Sequence, residues 1–198
     1  MCSTILGVIN GETSSYDVIT KKDGYEIRRY NKLYLAQISY EVPLNTDFLS
    51  ESGLRFIPLY KYISGCNDTQ TKMSIMAPVI MQEAENNCII KRTMSFIMSP
   101  TKFTSLDQIP IPNDKNIRIV EQTNSFDLAC ITFNMTMTTE KNAAKEKELR
   151  EAAHRDGFQL SSNKNDILYF GYNPPFIIPH FKRNDICIPV INQELNSH

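Results

Sequence analysis

The sequence predicts one α+β domain in which a duplicated ββαββ unit builds an antiparallel sheet or open barrel, with two helices packed on it. Three observations predict it. Two segments with the same order of hairpin, helix, strand and strand follow one another, at about 25–98 and 116–191 of the single domain 1–198. Leu35-Ala36-Gln37-Ile38-Ser39-Tyr40 in the first echoes Leu128-Ala129-Cys130-Ile131-Thr132-Phe133 at the same place in the second. The connection between them, around Ile109-Pro110-Ile111-Pro112, is too short to hold two domains apart. At 198 residues, 41% apolar and 22% charged, the chain has apolar mass enough for one ordinary core.

Residues 25–30 alternate, and so do 33–42 after the Asn31-Lys32 turn, so together they read as a hairpin. A helix is expected from about Thr46, with Asp47 and Glu51 near its start and Gly65 just past its end. Strands are expected at 73–82 and 88–98, and a second hairpin at 117–122 and 128–137. A charged helix runs from Thr139 to Arg155 and stops at Gly157. Glu146 and Arg150, like Glu151 and Arg155, are spaced there as i,i+4 pairs. It offers a core only Ala143, Leu149 and Ala153. Strands at 167–172 and 185–191 close the chain. A one-residue slip would turn the apolar face of such strands to water, so the alternation fixes their register.

The formal net charge of -1, with no long block of either sign, gives no basis for a nucleic-acid or anionic-membrane partner. Five cysteines occur, an odd number with no C-x-x-C pair, and three interrupt apolar runs. They read as reduced thiols in a reducing compartment. The stretch Thr4 to Ile9 is too short for a signal sequence, and no run nears the ~20 residues of a transmembrane span. Sequons at Asn67 and Asn134 therefore read as unused, and the location as cytoplasmic. There is no phosphate-cradling glycine motif, no H-E-x-x-H and no G-x-S-x-G, so the chain reads as a non-enzymatic binding protein.

Two places stand out as candidate binding surfaces. On the first helix, Leu49, Phe56, Leu59, Tyr60 and Ile63 form the core stripe, which leaves Leu54, Ile57 and Pro58 on the opposite side with Lys61. Pro58 is expected to kink or break that helix. An apolar patch rimmed by one cation suits a flat, apolar, dianionic ligand; a covering loop is the structural alternative. The second place is Pro174-Pro175-Phe176-Ile177-Ile178-Pro179-His180-Phe181-Lys182-Arg183, an apolar loop ending in cations between the last two strands. His180 is the candidate metal ligand there. His154 reads as surface decoration and His198 as part of a loose terminus, while the strand methionines read as core filler.

At these elements the sequence resembles the SOUL heme-binding family. Tyr25-Glu26-Ile27-Arg28-Arg29-Tyr30 is similar to its opening Y-E-(I or V)-R-x-Y. Phe56, Leu59 and Tyr62-Ile63-Ser64-Gly65-Cys66-Asn67 resemble its F-x-x-L-x-x-Y-I-x-G-x-N. Met73 to Val79 looks like its K-M-x-M-T-A-P-V, and Ser95 to Pro100 like its S-F-x-x-P-S. Gly171-Tyr172-Asn173-Pro174-Pro175-Phe176 with Arg183-Asn184-Asp185-Ile186 is similar to its A-G-Y-(N or D)-P-P followed by R-(R or N)-N-E-V. The resemblance implies a distorted antiparallel β-barrel of two ββαββ pseudo-repeats with two helices outside. It also implies non-covalent heme or other tetrapyrrole binding, as a buffer or carrier, against the first helix and the last loop.

On that resemblance, heme would lie against Leu54, Ile57, Phe176 and Ile177, with propionates paired by Lys61 and by Lys182 or Arg183. Arg29 stands where some members have a histidine proposed as the iron ligand, so that ligation is unavailable. Ile177 stands where a basic residue often follows the Pro-Pro-x motif. Two other classes of function remain open: a general small-molecule-binding module like the effector domains of multidrug-responsive regulators, and a protein-interaction module docking an amphipathic helix. An acidic residue in the pocket would favour the first of these, and ligand-independent capture of a partner the second.

Overall fold

A computed structural model describes residues 13–86, 88–122, 126–174 and 177–192. Its strands are β1 (Asp17–Lys21), β2 (Glu26–Tyr30), β3 (Leu33–Pro43), β4 (Val79–Asn86), β5 (Ile89–Ile97), β6 (Ile117–Gln122), β7 (Phe126–Phe133), β8 (Gln159–Leu160), β9 (Leu168–Gly171) and β10 (Asn184–Asn192). Its two α-helices are α1 (Ser52–Ile63) and α2 (Thr139–Arg155). All the strand pairs are antiparallel, in the order β1-β2-β7-β10-β9-β4-β5-β3-β6, with β8 set against β10. Outward from the β4–β9 pair, one side runs β5, β3, β6 and the other β10, β7, β2.

Elementary distances show why this sheet cannot be flat. β2 and β3 stand six steps apart in the order, which in a flat sheet is about 29 Å. Only Asn31 and Lys32 join them, and three Cα steps reach at most ~11 Å. The sheet must curl until its two ends meet. Alternation then sorts each strand between an enclosed face and an outer one. Leu33, Leu35, Ile97, Leu128, Cys130, Phe170 and Cys187 fill the inside. Tyr34, Ala36, Ile38, Met94 and Phe96 face outward under Leu59, Tyr62 and Ile63 of α1. Ala129, Ile131, Phe133, Ile186 and Ile188 face outward under Leu149 and Ala153 of α2.

Two expectations about pairing are overturned. β2 pairs with β1 and β7, while β3 pairs with β5 and β6, so 25–30 and 33–42 are not a hairpin. The same holds for β6 and β7. A tight two-residue hairpin of the favoured type needs positive φ at both turn residues. Among the described residues positive φ falls on Glu51, Gln70, Met135 and three glycines, not on Asn31 or Lys32. Residues 73–78 precede the strand they were expected to open, and β1 and β8 were not foreseen.

α1 starts at Ser52 rather than Thr46: Glu51, at φ 62°, interrupts the helical ladder, and a side chain elsewhere holds the turns before it. Arg92 of β5 donates to the carbonyl oxygens of Thr46 (2.8 Å), Asp47 (2.8 Å) and Ser50 (3.4 Å), which holds them out of a helical ladder. The helix then runs unbroken through Pro58 and ends before Gly65, whose φ of 112° suits glycine. In α2 the Thr138 hydroxyl caps the start by accepting from the Lys141 amide at 3.3 Å. Its buried residues are Asn142, Leu149 and Ala153, so Ala143, expected inside, lies one position off the inner face and is exposed.

Cys130 and Cys187 sit opposite one another on β7 and β10 with Cα atoms 4.2 Å apart, and form a disulfide. The expectation of reduced thiols fails for this pair, because register and alternation place both on the enclosed face. Cys66 and Cys88 are free and exposed, and Cys2 lies outside the described residues. Asn67 is buried and its amide donates to Tyr62 and Thr71 carbonyl oxygens at 3.0 and 2.8 Å, which shields that sequon; Asn134 is exposed.

One end of the barrel interior is ionic. Asp185, wholly buried, accepts from Arg28 (2.5 Å), Tyr172 (2.8 Å), Thr132 (2.7 Å) and Arg183 (3.2 Å). Arg28 also donates to Glu26 at 2.9 Å and lies 4.6 Å from the Tyr16 ring centre. Burial alone would raise the Asp185 pKa, but Arg28 and Arg183 outweigh it and hold the carboxyl below its ordinary value.

A depressed folded-state pKa stabilises the fold above the unfolded carboxyl value of about 4, and that contribution is lost as pH falls through the folded value. Asp185→Ala leaves Arg28 buried without its main partner, at an expected cost of about 3–5 kcal/mol at neutral pH. Denaturant melts between pH 7 and pH 2 should therefore show wild type losing more stability on acidification than the variant. A variant within about 1 kcal/mol of wild type at pH 7, and as acid-sensitive, would contradict this assignment.

Candidate functional site

The candidate surface is built on α1. Leu59, Tyr62 and Ile63 are buried, and Phe56 meets Phe96 edge-on with centroids 5.0 Å apart. On the opposite face Leu54 is 65% exposed and Ile57 48%, with Lys61 exposed beside them. Both apolar side chains remain exposed among the described residues. Tyr60, expected in the core stripe, is 53% exposed and joins the patch. Tyr60 and Tyr62 flank the stripe on opposite sides. Tyr62 is drawn in because its hydroxyl donates to the Pro110 carbonyl oxygen at 2.7 Å, whereas Tyr60 stacks outside on Phe56 at 6.0 Å.

The loop between β9 and β10 differs more from expectation. Phe176 lies outside the described residues. Ile177 is buried, so it offers no surface to a ligand; Ile178 (50%) and Phe181 (49%) hold the exposed apolar positions instead. Residues 179–181 form one 3-10 turn that presents His180 to solvent. The His180 Nδ1 stands 3.1 Å from the Met135 Sδ, and the Met135 amide donates to the Pro179 carbonyl at 2.9 Å. Lys182 is half-buried. Arg183 turns inward, 4.1 Å over the Tyr172 ring and paired with Asp185, which leaves Lys182 as the loop's cation toward solvent.

α1 and this loop are anchored at the same end of β4. The Met73 amide, on the approach to β4, donates to the Ile63 carbonyl at 2.7 Å, and Val79 pairs with Gly171 at the foot of the loop. Their supports are separate: α1 rests on β3 and β5, the loop on residues 135–137 and β10. Alternation on a helix was enough to find Leu54 and Ile57. Nothing periodic orients a loop, so the choice between Ile177 and Ile178 was not legible.

Arg29, at the position of the family's histidine, makes two hydrogen bonds to the Asp127 carboxylate at 2.7 and 2.8 Å. That hydrogen-bonded carboxylate raises its pKa, fixing it as a cation. Among the described residues no group of three or more His, Cys, Asp or Glu could hold a metal ion, and no helix is long and apolar enough to cross a membrane. A cavity lined by Tyr40, Phe48, Met81, Glu83 and Arg92 measures ≈ 10 Å³, room for about one water and none for a macrocycle. The exposed Leu54, Ile57, Tyr60 and Lys61 of α1 have the apolar and cationic chemistry that a planar anionic ligand requires.

The family model described as SOUL heme-binding protein matches residues 11–189. No curated protein matches the chain. Among solved structures it is similar to the C-terminal domain of EcmrR (TM-score 0.59, 12% identity, 90% of this chain and 99% of that one). It is similar as well to a hydrolase from Listeria innocua (0.59, 10%, 87% and 94%). A third likeness is to SAV2435 bound to tetraphenylphosphonium (0.50, 10%, 88% and 98%). These likenesses show a shared fold.

The two faces of α1 make a direct prediction. Leu59→Ala should cost about 2–5 kcal/mol, as a wholly buried leucine does. Ile57→Ala should stay within about 1 kcal/mol of wild type. Equal costs in chemical denaturation would contradict the assignment of faces.

Proposed function

The chain belongs to the SOUL heme-binding protein family, and on that premise we propose that it carries heme or a related tetrapyrrole against the outer face of α1. The observation behind this is the exposed Leu54, Ile57 and Tyr60 beside the exposed Lys61. Apolar side chains at i, i+3 and i+6 give a flat surface to one face of a macrocycle. Lys61, and Lys182 of the β9–β10 loop, are the cations assigned to its two propionates. Burying ~300 Å² of macrocycle at ~25 cal/mol per Å² is worth about 7 kcal/mol before the costs of association. A Kd of about 10 μM is therefore the tightest that burial alone would give, and contacts to the propionates must offset the cost of association.

Iron contributes little to this holding. Arg29 excludes ligation from β2, and His180 is the candidate ligand through Nε2, since Nδ1 faces the Met135 sulfur. When bound, heme would bring its own iron chemistry; the chain supplies the seat and the counter-charges. The proposed role is accordingly non-enzymatic, buffering or transport in the cytoplasm. The likeness to a protein bound to tetraphenylphosphonium supports a second reading, a module for apolar cations. Lys61 at the patch disfavours it there, because the patch repels a cation.

Titrating the protein with hemin and with iron-free protoporphyrin tests the proposal by absorbance and fluorescence. Saturable one-to-one binding of both is expected, weakened about tenfold or more by Lys61→Glu and by Ile57→Asp. Binding no tighter than to an unrelated protein would remove the tetrapyrrole reading and leave the patch to a partner helix.

A further inference from the structure

Arg92 is held as a bound ligand is held. It stands on the outer face of β5 directly across from Glu83 of β4, beneath residues 46–50. Its Nε donates to Glu83 Oε1 at 2.7 Å, Nη1 to the Asp47 and Ser50 carbonyl oxygens, and Nη2 to that of Thr46. Four of the five guanidinium N–H groups thus have acceptors. The side chain is 5% exposed, and its guanidinium carbon is 5.9 Å from the Phe48 ring centre. Phe48 in turn meets Tyr169 edge-on at 4.6 Å. Tyr40 and Met81 complete the walls of the small cavity that remains.

The groups that bond this guanidinium are one carboxylate and three main-chain carbonyls, with aromatic rings and the Gln82 and Thr93 side chains beside them. Such a shell selects a planar, delocalised cation, which is weakly hydrated and matches several acceptors at once. A lysine ammonium, a compact point charge, matches it less well. We propose that the space beneath residues 46–50 is a receptor for a guanidinium-type organic cation, and that the side chain of Arg92 is its resident occupant. The wild-type chain closes this site to free cations. A chain without the arginine side chain keeps these acceptors without their main partner, the Asp47 oxygen retaining only its bond from the Ser50 amide, and takes up such a cation from solution.

The test uses the full chain carrying Arg92→Ala, with methylguanidinium as probe and urea as a neutral molecule of similar shape. Low millimolar methylguanidinium should raise the thermal midpoint of the variant saturably and leave that of wild type unchanged, and urea should raise neither. Adding Glu83→Gln to the variant should weaken the response at least tenfold. Should Arg92→Ala not fold unaided, the same probe should restore its folding on dilution from denaturant. A variant that responds no more than wild type, or equally with Glu83→Gln, or that methylguanidinium fails to restore, would overturn the proposal.

Discussion

Two residues, Asn31 and Lys32, carry the chain from β2 to β3, across six positions of strand order. The rest of the molecule follows from that short bridge. It forces the sheet to roll, the roll gives it an enclosed face, and the enclosed face takes Leu35, Leu128 and Phe170 out of water. What remains apolar on the outside must then be covered separately, once by α1 and once by α2. That enclosed face is packed with apolar side chains, and the surface proposed for a tetrapyrrole is instead the outside of α1.

Several residues of the family motifs hold this architecture together. Arg28 of the opening motif, Tyr172 of the loop motif and Asp185 of the closing one meet in a single buried network. Asn184 donates to the Met135 carbonyl at 2.7 Å, and Asn67 closes the turn after α1. A buried ion pair is costly to half-remove, so these positions tie distant parts of the chain to one arrangement. The proposed ligand contacts, Leu54, Ile57, Tyr60 and Lys61, fall beside the motifs or at their variable positions.

Alternation and helical spacing carry local information, and part of what they define lies where the sequence placed it. β6 and α2 match their expected limits, and Leu54 and Ile57 face outward as their spacing requires. Pairing is a different kind of fact. A strand's alternation states which side chains share a face but not which strand lies beside it, so β2 was set against β3 when its neighbours are β1 and β7. The turns before α1 are held by Arg92, more than forty residues further along, and no local rule reaches that far. The side chains of the β9–β10 loop, Ile177 against Ile178, have no period to orient them.

The central claim is that the tetrapyrrole lies on α1, outside a filled barrel. Backbone amide NMR with iron-free protoporphyrin tests it most directly, since the ring current shifts only nearby protons. The account predicts the largest shifts at Leu54, Ile57, Tyr60 and Lys61, with the inner residues Leu35, Leu128 and Phe170 nearly unmoved. Shifts concentrated on those inner residues would place the ligand within the barrel and contradict it.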